Sequence, residues 1–509
     1  MNLDGRYEVP VESRAKDLEP IVVALDIGTS SVRALLFDGS GRQLENCGVQ
    51  LPYEVEWTAD GGVEVDAERL VGIVAESVSA LHQEMQARGI KPAAVGCCTF
   101  WHNVLGVDHE GRPTTSVLHP FDTRAVRAAA KLAKTIDGPS QHARTGCVLH
   151  ASYLPAKLLW LSEERPAAFR ATRHWMSFGE YLYFKLLGDA AGSVSMVSGS
   201  GLWDQNKNQY DAEILNALPV DPAQFCAPDR MDQPLSSLRE DFKSRWPLLD
   251  GIPWYPALGD GACNNLGSDC HSPDRFALMV GTSGAMRAVW EKAHIDIPAG
   301  LWCYRVDRRR FVLGGALSNG GEVYAWMKRT LALPREEQLE EQLAAILPGS
   351  HGLTVLPLLA GERSPHWRAD ATAAIIGLRT STRPIEILRA ALESVALRFR
   401  AIYNLMTACL GTPKEVVTSG GALLHSGAWT QIMTEALARP ILASLEAEPS
   451  SRGAALVALE RLGAICSARE LQGRMGSTFK PVASHCGIYE EQLRRQERLY
   501  SKLYGTEIP

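Results

Sequence analysis

Apolar and polar positions fall into two recurring patterns along this chain. In "IVVALDIGTSSVRALLFDGSG", branched runs at 21–25 and 32–37 bracket a polar turn and read as the two strands of a hairpin. Longer segments repeat their apolar positions every three to four residues. "DAERLVGIVAESVSALHQEMQARG" carries Leu70, Val74, Val78, Leu81 and Met85 on one face, with Asp66 as N-cap and Gly89 as terminator, which predicts a helix. "PIEILRAALESVALRFRAIYNLM" does the same through Ile385, Leu388, Leu392, Val395, Phe399 and Ile402, and Pro384 suits its first turn. In "EVVTSGGALLHSGAWTQIMTEAL" a short strand runs into Gly420-Gly421, and a helix begins near Ser426 with Trp429, Ile432, Met433 and Leu437 on its apolar side. Strands and helices intermix in both halves, so the predicted class is α/β.

The first hairpin has an echo. "ALDIGTSSVRALLFD" (24–38) returns as "LMVGTSGAMRAVWE" (278–291), half a chain length later, with the same order of apolar strand, Gly-Thr-Ser and second strand. A duplicated hairpin at that spacing predicts two similar domains facing each other. The boundary is expected in 270–275, "CHSPDR", where polar residues and Pro273 interrupt the chain.

Composition narrows the function classes. The 509 residues are 46% hydrophobic and 22% charged with a formal net charge of −6, so the basic surplus needed for a nucleic-acid backbone is missing. Eleven cysteines include no Cys-x-x-Cys pair, which predicts free thiols in a reducing cytosol rather than zinc ligands or disulfides. Residues 1–20 mix charges with prolines and are expected to form a loose tail, not a signal peptide. No apolar run approaches the ~18 residues of a membrane span. The expectation is a soluble cytoplasmic protein with neither nucleic-acid nor membrane partners.

Glycine turns after strands let backbone N–H groups approach an anion, because no Cβ intervenes. Gly28-Thr29-Ser30 and Gly281-Thr282-Ser283-Gly284 are therefore candidate phosphate grips, with plain hairpin turns as the alternative. Gly420-Gly421 offers bare backbone to an adenine or ribose. No Gly-x-x-x-x-Gly-Lys-Ser/Thr is present, which excludes a P-loop. Asp26 ends the first strand beside the first grip; a carboxylate there suits a divalent cation between it and phosphate, or else braces its own turn. Asp260, in "ALGDGACNNLGS", is either a general base for a hydroxyl attacking a γ-phosphate or the N-cap of a helix over 262–266.

These segments together resemble the FGGY family of carbohydrate kinases, within the actin-like ATPase superfamily. "AAIIGLRTSTRPIEILRAALE" (373–393) meets the family's C-terminal signature, and "KLLWLSEE" (157–164) most of its N-terminal one, with Leu154 where a small residue or proline is usual. The resemblance implies an α/β fold of two ribonuclease-H-like domains facing a central nucleotide and substrate cleft, over residues 21–272 and 273–509 after the tail. It implies ATP and Mg²⁺, with Asp260 as catalytic base, Asp26 and Asp260 toward the metal, and Gly28, Thr29, Ser30, Gly281, Thr282, Ser283 and Gly284 on the phosphates. Gly420, Gly421 and Ala422 would hold the adenosine. Sugar contacts would come from Asp260, from Trp101 and His102 in "CCTFWHNVLGVD", and from Asp122 and Arg124 in "PFDTR", where Pro120 replaces the usual tryptophan. A core histidine and a solvated ion pair are the alternatives at the last sites. "YLPAKLLWL", "SVSMVSGSGLWD", "GDGACNNLGS" and "GERSPHWRADA" read like the gluconokinase branch, which points to D-gluconate as the small-molecule acceptor. Pentulose or other polyol kinases, an actin-like ATPase module and a silent sugar sensor stand as alternatives, and a homodimer is compatible with the resemblance.

Overall fold

Two sheets of the same topology organise the computed structural model, which describes residues 19–505. The tail expected at 1–20 lies outside them apart from Glu19 and Pro20. The first sheet comprises β1 (Ile21–Ile27), β2 (Ser31–Phe37), β3 (Gln43–Pro52), β4 (Pro92–Thr99) and β5 (Leu258–Gly259), in the order β3-β2-β1-β4-β5. β1, β2 and β3 pair antiparallel, whereas β4 and β5 join in parallel. The second sheet holds β6 (Arg275–Val280), β7 (Gly284–Glu291), β8 (Trp302–Arg305), β9 (Arg310–Leu317), β10 (Glu415–Ser419), β11 (Ile441–Ser444) and β12 (Met475–Phe479). Its five central strands, β9-β7-β6-β10-β11, repeat the first sheet in order and direction, with β8 and β12 added at the edges. The hairpin echo in the sequence is thus the start of each repeat.

All seven residues of β1 are buried, as a central strand covered on both faces requires, and this is why its one acid stands out. Parallel strands need long crossovers, and helices supply them. α1 (Ala67–Arg88) begins where the Asp66 carboxylate accepts from the Arg69 N–H at 2.7 Å and ends at Gly89, whose φ of 65° is costless without a Cβ. α2 (Asp260–Gly267) follows β5 directly. α3 (Pro384–Leu410) packs its predicted apolar face into the core of the second half, and α4 (Gly427–Leu437) is capped by Ser426 as expected.

One helix departs from a simple two-halves division. α5 (Pro449–Leu462), late in the chain, lies on the first sheet, where Ala455, Leu456 and Leu459 meet Val22, Ala24 and Leu35. It crosses α2 so closely that a Cβ on Gly453 would stand 1.9 Å from the Cys263 carbonyl, and one on Gly267 1.7 Å from that of Pro449. The C-terminal half therefore braces the helix that carries Asp260. A further apolar cluster joins both sheets at the cleft, through Trp101 and Leu258 on one side and Val289, Trp302 and Tyr304 on the other.

Candidate active site

Thr29 of the β1–β2 turn and Ser283 and Gly284 of the β6–β7 turn line the same cavity, about 220 Å³, as Asp260. The two turns are built alike: Gly28 N–H donates to the Ser31 carbonyl at 2.9 Å, and Gly281 N–H to that of Ser283 at 2.9 Å. A third segment closes on the second turn. The Gly321 N–H donates to the Gly281 carbonyl at 2.7 Å, and a Cβ on Gly320 would lie 2.5 Å from the Ser283 oxygen. Gly420, at φ 93°, presses against β6 so tightly that a Cβ would meet the Val280 carbonyl at 2.8 Å. The structure thus brings Gly281 to Gly284 beside Gly420, Gly421 and Ala422. Backbone and short hydroxyls dominate this wall, the chemistry that suits phosphate and ribose.

Asp26 lies one layer deeper, 4% exposed. Its Oδ1 is 3.4 Å from the Cys98 thiol, its Oδ2 3.4 Å from the Ser451 hydroxyl of α5, and Arg33 stands at 3.8 Å. Burial pushes its pKa up to about 6; Arg33 opposes this, and the charge of Asp260 adds to it. The two acids therefore share one field. Among the described residues no group of three or more His, Cys, Asp and Glu could cage a metal by itself. Two mutually repelling carboxylates beside a phosphate-type wall instead match the Mg²⁺ donor set, one or two acids completed by water and phosphate oxygens. Asp26 and Asp260 fit that role.

Asp260 occupies the first turn of α2, with Gly259 in the cap position. Its Oδ1 accepts from the Gly261 N–H at 2.7 Å. Burial raises its pKa, while Arg287 on β7 lowers it. Trp101 is the plate behind it: a Cβ on Gly259 would strike the indole at 1.9 Å, and one on Gly261 at 2.7 Å. The indole N–H donates to the Ser195 carbonyl at 2.9 Å, which fixes the ring.

From Trp101 an aromatic wall continues through Tyr304, at 5.0 Å between ring centres, to Trp302, stacked on Tyr304 at 4.5 Å. Tyr304 and Tyr153 share a hydroxyl–hydroxyl hydrogen bond of 2.6 Å across the cleft. His102, at φ 63°, points its ring at both tyrosines. Burial drives its pKa down to about 3, so the imidazole is neutral. Its Nδ1 lies 2.6 Å from the Gly199 carbonyl, an acceptor only, so Nδ1 carries the proton and Nε2 is left as an acceptor. Lys157, in the N-terminal signature segment, donates to the carbonyls of His102 at 2.6 Å and His119 at 2.9 Å and staples this loop.

Asp122 and Arg124, expected on the sugar, are placed differently. They bind each other, Arg124 Nε to Asp122 Oδ2 at 3.1 Å, while Arg124 also pairs with Glu64 at 2.8 Å and lies over the Trp160 ring at 4.5 Å. Asp122 also accepts from the Val63 N–H. Asp122 is buried and Arg124 half-buried, both are satisfied, and only their neighbours Pro120 and Phe121 line the cavity. The reason is that Glu64 and Trp160, distant in sequence, complete the ion pair before any ligand does.

Among the cavity residues that the sequence reading did not single out are Tyr153, Arg287, Tyr304 and Arg363. Arg287 did leave a signal, since a guanidinium amid the buried run "GAMRAVW" demands an explanation. Among the described residues neither Arg287 nor Arg363 enters an ion pair; Arg287 bonds Asn264 at 3.4 Å and Arg363 the Leu317 carbonyl at 3.3 Å.

A cleft between duplicated ribonuclease-H-like sheets, with paired glycine turns and an acid on the wall, defines a two-domain phosphotransferase-type fold. The chain belongs to the FGGY family of carbohydrate kinases: its N-terminal domain model matches residues 21–267 and its C-terminal domain model residues 276–460. It is a phosphotransferase of that family, whose members use ATP. A gluconokinase of Bacillus licheniformis is 26% identical over 479 residues, covering 90% of this chain and 91% of that one. A xylulose kinase of Streptomyces rubiginosus is 30% identical over 444 residues, covering 86% and 87%. Among solved structures, the gluconate kinase from Lactobacillus acidophilus superposes with a TM-score of 0.88 at 23% identity, covering 95% of this chain and 98% of that one. A ligand-bound xylulose kinase from the same organism reaches 0.89 at 23%, covering 96% and 99%. Gluconate, xylulose and glycerol kinases are all similarly related to this chain.

Proposed function

We propose that the protein transfers the γ-phosphate of Mg-ATP to the terminal hydroxyl of D-gluconate, giving 6-phosphogluconate. The observation that carries the reading is Asp260 on the cavity wall beside Thr29, Ser283 and Gly284, with a donor-rich aromatic wall beyond it. Asp260 accepts the proton of the attacking hydroxyl, and its Oδ1 contact to the Gly261 amide together with Trp101 fixes the carboxylate. The Gly281 to Gly284 turn and Thr29 present amides and hydroxyls to the phosphoryl oxygens as charge develops there. Mg²⁺, held by Asp26 and Asp260, would neutralise phosphate charge. The neutral His102 accepts a sugar hydroxyl at Nε2, and Tyr153 and Tyr304 hold others. The charge of Arg287 opposes the upward push that burial gives the Asp260 pKa.

Coupled ADP release with Mg-ATP across gluconate, xylulose, ribulose, glycerol and a no-sugar blank tests this. Release dependent on gluconate, with the blank near zero, is expected. Release driven by a ketose or glycerol and not by gluconate overturns the acceptor assignment, and release indifferent to every sugar overturns kinase action altogether.

A further inference from the structure

Side chains alternate between the two faces of β1, and Val22 and Ala24, on the same face as Asp26, pack against α5. Asp26 extends that row to the start of the helix, where the Ser451 hydroxyl donates to its Oδ2 at 3.4 Å. Across the hairpin Asp26 is in register with Arg33 of β2. Opposite charges at directly paired positions of antiparallel strands are within reach of a close ion pair. The guanidinium favours another acid instead. Its Nε lies 2.9 Å from Glu448 Oε2, whereas its Nη1 is 3.8 Å from Asp26 Oδ2. Glu448 occupies the cap position before α5, and among the described residues Arg33 is its one ion-pair partner. An acid of the C-terminal half thus holds the cation that would otherwise close on an acid of the N-terminal half.

We propose that Glu448 is a positioning residue: by holding the Arg33 guanidinium it leaves the Asp26 carboxylate free for Mg²⁺. This rests on the assignment of Asp26 to Mg²⁺ above and deepens it. A carboxylate closed on a guanidinium has its oxygens taken up by charged N–H donors, which a hard cation would have to displace. With Arg33 held at Glu448, the groups within hydrogen-bond reach of Asp26 are the Cys98 thiol and the Ser451 hydroxyl, each at 3.4 Å and each neutral. Glu448 and Ser451 both belong to the opening of α5, the helix that also crosses α2 beneath Asp260. One helix therefore sets the surroundings of both acids.

The test is calorimetric and needs no turnover. ADP affinity is measured with Mg²⁺ and with EDTA in its place, and the ratio of the two dissociation constants reports how strongly metal and nucleotide couple. In the wild type Mg²⁺ should tighten ADP. In Glu448→Gln the ratio should fall about fivefold or more, the size of an ordinary coupling between two ligands, while ADP affinity in EDTA is not weakened. Loss of a merely structural contact would weaken both measurements alike and leave the ratio unchanged. Adding Arg33→Met to Glu448→Gln removes the competing cation and should return the ratio toward the wild-type value. If Mg²⁺ tightens ADP equally in the wild type and in Glu448→Gln, the assignment of Asp26 stands and that of Glu448 falls. A ratio that stays low in the double variant also overturns the proposal, since Glu448 would then be holding the metal itself. If Mg²⁺ does not tighten ADP in the wild type, the assignment of Asp26 fails first and the role of Glu448 with it.

Discussion

Asp26 shows what a buried carboxylate costs the fold. It is a carboxylate within a strand otherwise made of apolar residues, and burial raises its pKa from 3.8 to about 6. The folded protein therefore binds the proton more tightly than the unfolded chain does. The stability this contributes is fully present below about pH 3.8 and is lost as pH rises through about 6. At pH 8 the ionised group costs on the order of 3 kcal/mol. Asp26→Asn should accordingly raise the melting temperature of the ligand-free protein at pH 8, with the gap closing toward pH 4, while gluconate-dependent turnover is lost. A lower melting temperature for the variant at pH 8 would show that Arg33 and Ser451 outweigh the burial. The acid at the end of strand 21–25 was visible in the sequence, because one charge in an apolar run is a local signal. The same kind of reading did not foresee that Asp122 and Arg124 pair with each other away from the cavity lining, because their further partners, Glu64 and Trp160, are recruited from elsewhere in the chain.

Among the elements, the crossing of α2 and α5 ties the position of Asp260 to a helix near the end of the chain. Gly267 and Gly453 let the two helices touch backbone to backbone, and Gly96 admits the Ala454 carbonyl at 2.5 Å from where its Cβ would be. A methyl at Gly453 must displace α2, and overpacking of this kind costs about 1–3 kcal/mol. Gly453→Ala should lower the melting temperature by about 3–10 °C and reduce kcat more than it raises KM for Mg-ATP, since the helix that moves carries Asp260. An unchanged melting temperature would mean that the helices can separate freely. Helix α5 could be read as a helix from "SSRGAALVALERLG", yet its docking on the first sheet could not, since nothing in a local pattern says which sheet covers an apolar face. The hairpins, α1 and α3 were legible for the opposite reason: their period, caps and turns are written within some twenty residues each.

At the scale of the whole molecule, the cleft exists because two copies of one five-strand topology face each other. The Gly-Thr-Ser echo announced the duplication, and the acid between an apolar run and a glycine announced Asp260. The cavity itself was less legible. Tyr153, Arg287, Tyr304 and Arg363 come from four separate segments, and only the assembled sheets bring them within reach of Trp101 and His102. Closure of such a cleft around sugar and nucleotide excludes the water that would otherwise take the phosphoryl group. Phosphoryl transfer as proposed here requires Asp260 to act as base on a bound gluconate. The most direct measurement is gluconate-dependent ADP release by Asp260→Asn against the wild type, with gluconate affinity measured alongside by calorimetry. The account predicts a kcat lower by about two to four orders of magnitude with gluconate affinity changed by less than about threefold. Near-normal turnover in Asp260→Asn would contradict it.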